Sequence, residues 1–191
     1  MSSAAEVSLA VLTAAQMRAL GRSLAALLRA GDLVILSGGL GAGKTTLTQG
    51  IGDGLGVRGP ITSPTFVIAR VHPPLPLAPG GPGQVAAELA SPRPPLVHAD
   101  AYRLGSSLEL DDLDLDTDTA ASVTVVEWGE GLAEGLAADR LEITITPETA
   151  GLTGGEVDDL AAAAPRTVRI SAVGERWEGV KLPLASPADR L

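Results

Sequence analysis

Gly38-Gly39-Leu40-Gly41-Ala42-Gly43-Lys44-Thr45 follows directly on the apolar run Leu33-Val34-Ile35-Leu36. It fits the phosphate-binding pattern G-x-x-x-x-G-K-[ST] at every fixed position. Glycines suit such a loop because side chains would block backbone N–H groups from turning onto phosphate oxygens. Lys44 is placed to reach the β- and γ-phosphates, and Thr45 to offer its hydroxyl to Mg²⁺. A helix starting near Gly43 aims its positive end at the same anion. A plain glycine-rich turn could match by chance, but the strand before and the amphipathic pattern after supply the context that the motif requires. Gly39-x-Gly41-x-x-Lys44 fails the dinucleotide fingerprint at its last position, which sets an NAD-binding reading aside.

Working outward, Leu47, Ile51 and Leu55 recur on one face of the helix behind the loop, and Gly56 is placed to end it. Gly50, Gly52 and Gly54 each cost this helix about 1 kcal/mol relative to Ala, so packing has to hold it. Ahead of the loop, Thr13-Ala14-Ala15-Gln16 reads as a capping box. Met17, Leu20, Leu24, Leu27 and Leu28 then share a helical face, with Gly31 as the expected left-handed cap.

Beyond the loop helix, Ile61–Val71 reads as a polar turn feeding a strand. Leu96-Val97-His98-Ala99-Asp100 and Val123-Thr124-Val125-Val126-Glu127 are two further buried strands, each ending in a carboxylate. Residues 141–146 and 166–173 alternate as edge or half-exposed strands do, and are expected to pair antiparallel across the loop between them. The expected fold is α/β: a P-loop NTPase-like three-layer sandwich on a mixed, mainly parallel sheet.

The two terminal carboxylates matter because a phosphate cradle alone hydrolyses nothing. Phosphoryl transfer needs Mg²⁺ on the phosphates, a carboxylate for that metal or its waters, and a group to orient the nucleophile. In an open α/β sheet such groups sit beyond the carboxyl ends of the strands, where Asp100 and Glu127 fall. Each could equally be a solvated acid at a strand end. Trp128, next to Glu127, either meets the nucleotide or packs in the core. His72 and His98, on apolar strands, read as satisfied core residues rather than ligands.

Composition narrows the classes. The chain has 191 residues, a length suited to one domain. Aromatic residues are 2% of it, so the core has to be aliphatic. No cysteine is present, which removes disulfides, thiolate metal sites and cysteine nucleophiles. No signal peptide or membrane-spanning run is evident, so a cytoplasmic protein is expected. The net charge of −9 argues against a broad nucleic-acid surface and for a protein partner in any RNA pathway.

Two stretches carry little chemistry. Eight of the 14 prolines lie between Pro73 and Pro95, which reads as a surface insertion. Asp112-x-Asp114-x-Asp116 suggests a calcium loop, but Thr117 stands at the turn-glycine position and Val123 where the bidentate glutamate belongs. One P-loop domain is therefore expected over residues 1–175, with the insertion at 73–95 and a tail at 176–191 that carries no reliable pattern.

Gly38–Thr46, Ser63-Pro64-Thr65-Phe66, His98-Ala99-Asp100-Ala101-Tyr102-Arg103-Leu104 and Val125-Val126-Glu127-Trp128 together resemble the TsaE (YjeE) family. The P-loop alone is generic, whereas the Ser-Pro-Thr-Phe and Glu-Trp elements in this order are specific. The resemblance covers most of residues 13–146. It implies a small bacterial P-loop ATPase of tRNA threonylcarbamoyladenosine biosynthesis, with ATP and Mg²⁺ as cofactors. It implies the TsaD–TsaB transferase as partner, with tRNA met only indirectly and no membrane.

By the same resemblance, the nucleotide is bound by Gly39, Gly41, Ala42, Gly43, Lys44, Thr45, Thr46, Thr13, Thr65 and Trp128. Thr13 matches a position near the base, and Thr65 one in a switch-like loop that senses the γ-phosphate. Lys44, Asp100 and Glu127 are the catalytic set, and Thr45, Glu127 and Asp100 the metal set. Two positions depart from the family, which usually has Asp at Gly39 and a bulkier apolar residue at Ala101. A small-molecule kinase is the alternative enzyme, although no cluster of arginines suggests a lid. A non-catalytic nucleotide-dependent switch is the third reading.

Overall fold

The computed structural model describes residues 5–64, 69–76, 93–103, 119–148 and 164–183. Seven strands form one sheet: β1 (Ala5–Val11), β2 (Leu33–Ser37), β3 (Ala69–His72), β4 (Leu96–Asp100), β5 (Val123–Glu127), β6 (Arg140–Pro147) and β7 (Arg166–Val173). Their order across the sheet is β1-β7-β6-β2-β5-β4-β3. The centre β6-β2-β5-β4 is parallel, and β3, β7 and β1 extend it antiparallel at the two sides. The sheet is thus mixed around a parallel centre, as the α/β reading requires.

Every residue of β2, β4 and β5 is buried, which is why these strands read as continuous apolar runs. Strands β6 and β7 alternate buried and more open residues and pair antiparallel, Arg140 opposite Val173 through Pro147 opposite Arg166. Neither is an edge. β7 is covered by β1 in a seven-residue register, and the edges are β1 and β3. β1 has no counterpart in the sequence reading. Its larger apolar residues, Val7, Leu9 and Val11, are separated only by small or polar ones, and its pairing partner lies about 160 residues downstream.

Helices α1 (Ala14–Ala25) and α2 (Lys44–Leu55) stack on each other over one face of the sheet. The capping box at Thr13 and Gln16 is present, with Gln16 N–H donating to Thr13 Oγ1 at 3.1 Å. Where α1 and α2 cross, a Cβ on Gly50 would strike the Arg18 carbonyl oxygen, and one on Gly21 the Leu47 carbonyl oxygen. The glycines that weaken α2 on its own therefore let the α1 backbone lie against it. Gly56 ends α2 in the left-handed conformation, φ 68°.

Helix α1 stops sooner than its apolar spacing suggests. It ends at Ala25, with Ala26 as a right-handed cap, so Gly31 is not its cap. Gly31 is left-handed (φ 88°) but serves the turn into β2, donating its N–H to Ser122 O at 2.8 Å. Backbone closes α1 instead, with Leu27 and Leu28 N–H donating to Leu24 O, and Arg176 holds the turn beyond it, its Nη2 donating to Leu27 O at 2.8 Å and pairing with Asp32. Trp177 and Leu182, beyond the expected domain edge at 175, are buried in the main core.

That core lies between α1, α2 and the sheet. A smaller cluster of Leu33, Ile35, Ala99, Ala101, Val126 and Ala133 covers the opposite face. Among the described residues, that second face is closed by the chain around Leu132, Ala133 and Ala137. Thr65, the acidic residues 109–118 and most of the 73–95 insertion lie outside the described residues. Pro73–Leu75 are inside, and pair with the end of α2 through Arg58 N–H to Pro73 O and Leu75 N–H to Gly56 O. No helix among the described residues is long and apolar enough to cross a membrane.

Candidate functional site

Strand β2 ends at Ser37 and the chain turns at once into the loop. Gly38 has φ 138° and lies so close to the Ile145 carbonyl of β6 that a Cβ there has no room. Gly41 (φ 71°) and Gly43 (φ 111°) are also in the region that favours glycine. Gly43 is the N-cap of α2 and has no side chain to offer the helix. The N–H groups of Lys44, Thr45 and Thr46, which no intrahelical carbonyl can reach, are left for an external acceptor. A cavity of about 420 Å³ opens there, lined by Leu40–Thr46, Ser63, Tyr102, Glu127 and Trp128.

Side-chain alternation decides which acids face it. His98 and Asp100 lie on one face of β4, and Val125 and Glu127 on the same face of β5, with Asp100 paired to Glu127. This is the face that α2 covers. Thr45, in the first turn of α2, donates its hydroxyl to both carboxylate oxygens of Glu127, at 2.9 and 3.1 Å. Glu127 is only 2% exposed. His98 Nε2 lies 2.8 Å from Glu127 Oε1, so an ionised Glu127 accepts a proton-bearing Nε2 from below.

Asp100 is held differently. Its Oδ2 accepts from the Ser63 hydroxyl at 3.1 Å, and its Oδ1 from the Tyr102 N–H at 2.9 Å. It is 3% exposed and set behind the cavity wall that Ser63, Tyr102 and Glu127 form. The two strand-end carboxylates are thus neighbours with separate hydroxyl partners, one on α2 and one on the loop after it.

Lys44 Nζ donates to Gly38 O at 2.8 Å and Gly39 O at 2.9 Å, folding back over the loop. It also stands 3.6 Å from the centre of the Trp128 ring, within cation–π range. Burial pushes the Lys44 ammonium below the usual lysine range, while Glu127 and Asp100 pull it the other way. Trp128 has φ 59°, the one described non-glycine residue with positive φ, and its ring lies 5.1 Å from that of Tyr102. Tyr102 is 63% exposed and Leu40 94%, so the cavity mouth is apolar and open.

The structure therefore brings Gly41, Ala42, Gly43, Lys44, Thr45, Thr46, Glu127 and Trp128 to one cavity. Gly39 is in the same loop and a Cβ on it would meet nothing within 4 Å, so a larger residue fits there. Thr13 does not line the cavity, and its hydroxyl is engaged in capping α1. His98, read from the sequence as a satisfied core residue, is fully buried, but its Nε2 contacts Glu127 and its Nδ1 meets no partner among the described residues. Sequence reasoning passed over Tyr102 at the cavity mouth and Arg166, whose Nε donates to Ala42 O at 2.7 Å.

The donor set suits a nucleotide and a divalent cation. A loop rich in free N–H groups and a cation suits phosphates, and a buried carboxylate beside a threonine hydroxyl suits Mg²⁺, which prefers oxygen ligands. Residues 11–153 match the family model described as threonylcarbamoyl adenosine biosynthesis protein TsaE. The chain belongs to the TsaE family. A Streptomyces coelicolor protein named tRNA threonylcarbamoyladenosine biosynthesis protein TsaE is 57% identical over 84% of this chain and 93% of its own length. A Bacillus subtilis protein of the same name is 34% identical over 85% of this chain and 84% of its own. The crystal structure of Bacillus subtilis YdiB superposes with a TM-score of 0.62 at 26% identity, covering 93% of both chains.

Proposed function

We propose that this TsaE-family chain binds and hydrolyses ATP with Mg²⁺ and acts with a TsaD–TsaB-like transferase in forming threonylcarbamoyladenosine on tRNA. One observation carries the hydrolytic part: Thr45 is bonded to the buried Glu127 at the foot of an uncapped, glycine-rich cradle that holds Lys44. The pathway part rests on the family and on the names of the relatives. The reaction is attack of water on the γ-phosphorus, with the bond to the β-phosphate oxygen broken and ADP and phosphate released.

Each residue then has a task. The loop N–H groups bind the phosphates, and Lys44 leaves the Gly38 and Gly39 carbonyls to meet the β- and γ-oxygens. Thr45 and Glu127 would hold Mg²⁺, and Asp100, buried behind the wall that Ser63, Tyr102 and Glu127 form, would act on the ion only through them. When bound, the ion offsets the charge of the phosphates and of the leaving oxygen. His98 orients the Glu127 carboxylate by its contact at 2.8 Å. Trp128 and Tyr102 form an aromatic wall beside the loop. The acidic chain meets tRNA only through its protein partner, since a net charge of −9 opposes a phosphate backbone.

The test is reconstitution of threonylcarbamoyladenosine formation with a TsaD–TsaB pair, tRNA and ATP. The expected result is repeated turnover with this chain and a single cycle without it. Equal product with and without the chain would reject the accessory role. ATP consumed with a phosphorylated small molecule as product would favour the kinase.

A further inference from the structure

We propose that Arg166 is a positioning residue for the phosphate loop, setting the Ala42–Gly43 peptide so that the Gly43 N–H faces a nucleotide phosphate. The inference rests on the nucleotide reading above. Arg166 opens β7 and stands opposite Pro147 of β6 and Val11 of β1, at the end of the sheet where the loop leaves β2. Its side chain runs beneath the loop. Nε donates to Ala42 O at 2.7 Å and Nη1 to Ala164 O at 2.9 Å. The residue is buried, at 8% exposure. A Cβ added to Gly43 would lie 3.7 Å from Arg166 Nε, so the guanidinium end is directly behind that glycine.

In a planar trans peptide, the C=O of one residue and the N–H of the next point to opposite sides. Holding the Ala42 oxygen on the β7 side therefore turns the Gly43 N–H the other way, into the cavity. The latch is needed because Gly41 and Gly43 both have positive φ, and glycine backbones rotate at little cost. Arginine suits the task, since its fixed fork reaches two carbonyls at once while staying charged. That charge polarises the peptide whose N–H is presented. Arg166 lies beyond residues 11–153 that the family model matches, and is 124 residues from the carbonyl that it holds.

The experiment compares the full-length chain with Arg166→Met and Arg166→Lys, measuring ADP affinity by calorimetry and the KM and kcat for ATP. A contact made alike in ground and transition states shows in KM and not in kcat. Removing a charge-assisted hydrogen bond of this kind predicts an ADP Kd and an ATP KM about tenfold higher in Arg166→Met, with kcat within about twofold. Arg166→Lys, which keeps a donor and the charge, is expected between Arg166→Met and the unaltered protein. A purely structural role would lower kcat through the active fraction and leave KM and Kd unchanged, which overturns the inference. Should Arg166→Met not fold, Arg166→Lys decides: a raised Kd supports the latch, and an unaltered Kd refutes it. An unaltered protein that binds neither nucleotide rejects the nucleotide reading itself, and the inference with it.

Discussion

Thr45→Val removes one oxygen from the site and almost no volume, so its consequences can be worked from two distances. The hydroxyl donates to both oxygens of Glu127 at 2.9 and 3.1 Å, and Glu127 is 2% exposed. A hydrogen bond to a charged acceptor contributes about 1.5–3 kcal/mol. Thr45 is only half-buried, and water entering the variant site recovers part of that, leaving a loss of about 1–2 kcal/mol. In a chain of this size each kcal/mol moves the thermal midpoint by about 2–4 °C, so the expected fall is about 2–8 °C without nucleotide. Scanning calorimetry measures it. The same scans with ATP, with and without Mg²⁺, test the second role of the hydroxyl. A saturating ligand raises the midpoint through its affinity for the folded state alone. The unaltered protein is expected to gain from Mg²⁺ beyond its gain from ATP, and Thr45→Val to lose that increment. An unaltered midpoint with full Mg²⁺ dependence would refute the Thr45–Glu127 pair as the metal-binding unit.

Three other outcomes follow from the same contacts. Lys44→Ala is expected to abolish nucleotide binding, because the loop loses its one cation inside the cavity; unchanged ATP affinity by calorimetry would contradict this. Gly50→Ala improves helix propensity by about 1 kcal/mol, yet its Cβ meets the Arg18 carbonyl oxygen, and overpacking of that kind costs about 1–3 kcal/mol. Net destabilisation in urea is expected, and a more stable variant would show that α1 and α2 can move apart freely. His72 is held by burial below its usual value of 6.5, so the native protein resists the proton that the unfolded chain takes up. Stability from this residue is complete above about pH 6.5 and declines as pH falls through it. His72→Asn should therefore lose less stability than the unaltered protein between about pH 7 and 5, and equal acid sensitivity would count against the buried neutral imidazole.

The parts of the fold that local physics dictates were legible in the amino-acid sequence alone. Strands β2, β4 and β5 are buried on both faces, so their apolar runs declared them, and the loop between β2 and α2 carries its chemistry in consecutive residues. What was not legible depends on partners far along the chain. β1 exists because β7 offers it a ladder, and its own alternation is diluted by Ala10. Strands β6 and β7 read as edge or half-exposed strands, and the choice stayed open because that pattern is the same whether or not another strand lies alongside. Gly31 resembled a helix cap because sequence spacing does not reveal that backbone bonds to Leu24 O end the helix at Ala25. Asp100 and Glu127 were legible as strand-end carboxylates, and the structure places Glu127 in the cavity wall and Asp100 behind it. The contacts of His98 and Arg166 stayed hidden, since one reaches the neighbouring strand and the other the phosphate loop, each far away in sequence.

The most direct test of hydrolysis at this site is phosphate release from ATP, measured with Mg²⁺ for the chain alone and again with a TsaD–TsaB pair and tRNA. The expected result is slow release by the chain alone, faster release in the complex, no phosphorylated acceptor, and none of this activity in Glu127→Ala. Absence of hydrolysis under every condition, or undiminished hydrolysis in Glu127→Ala, would contradict it.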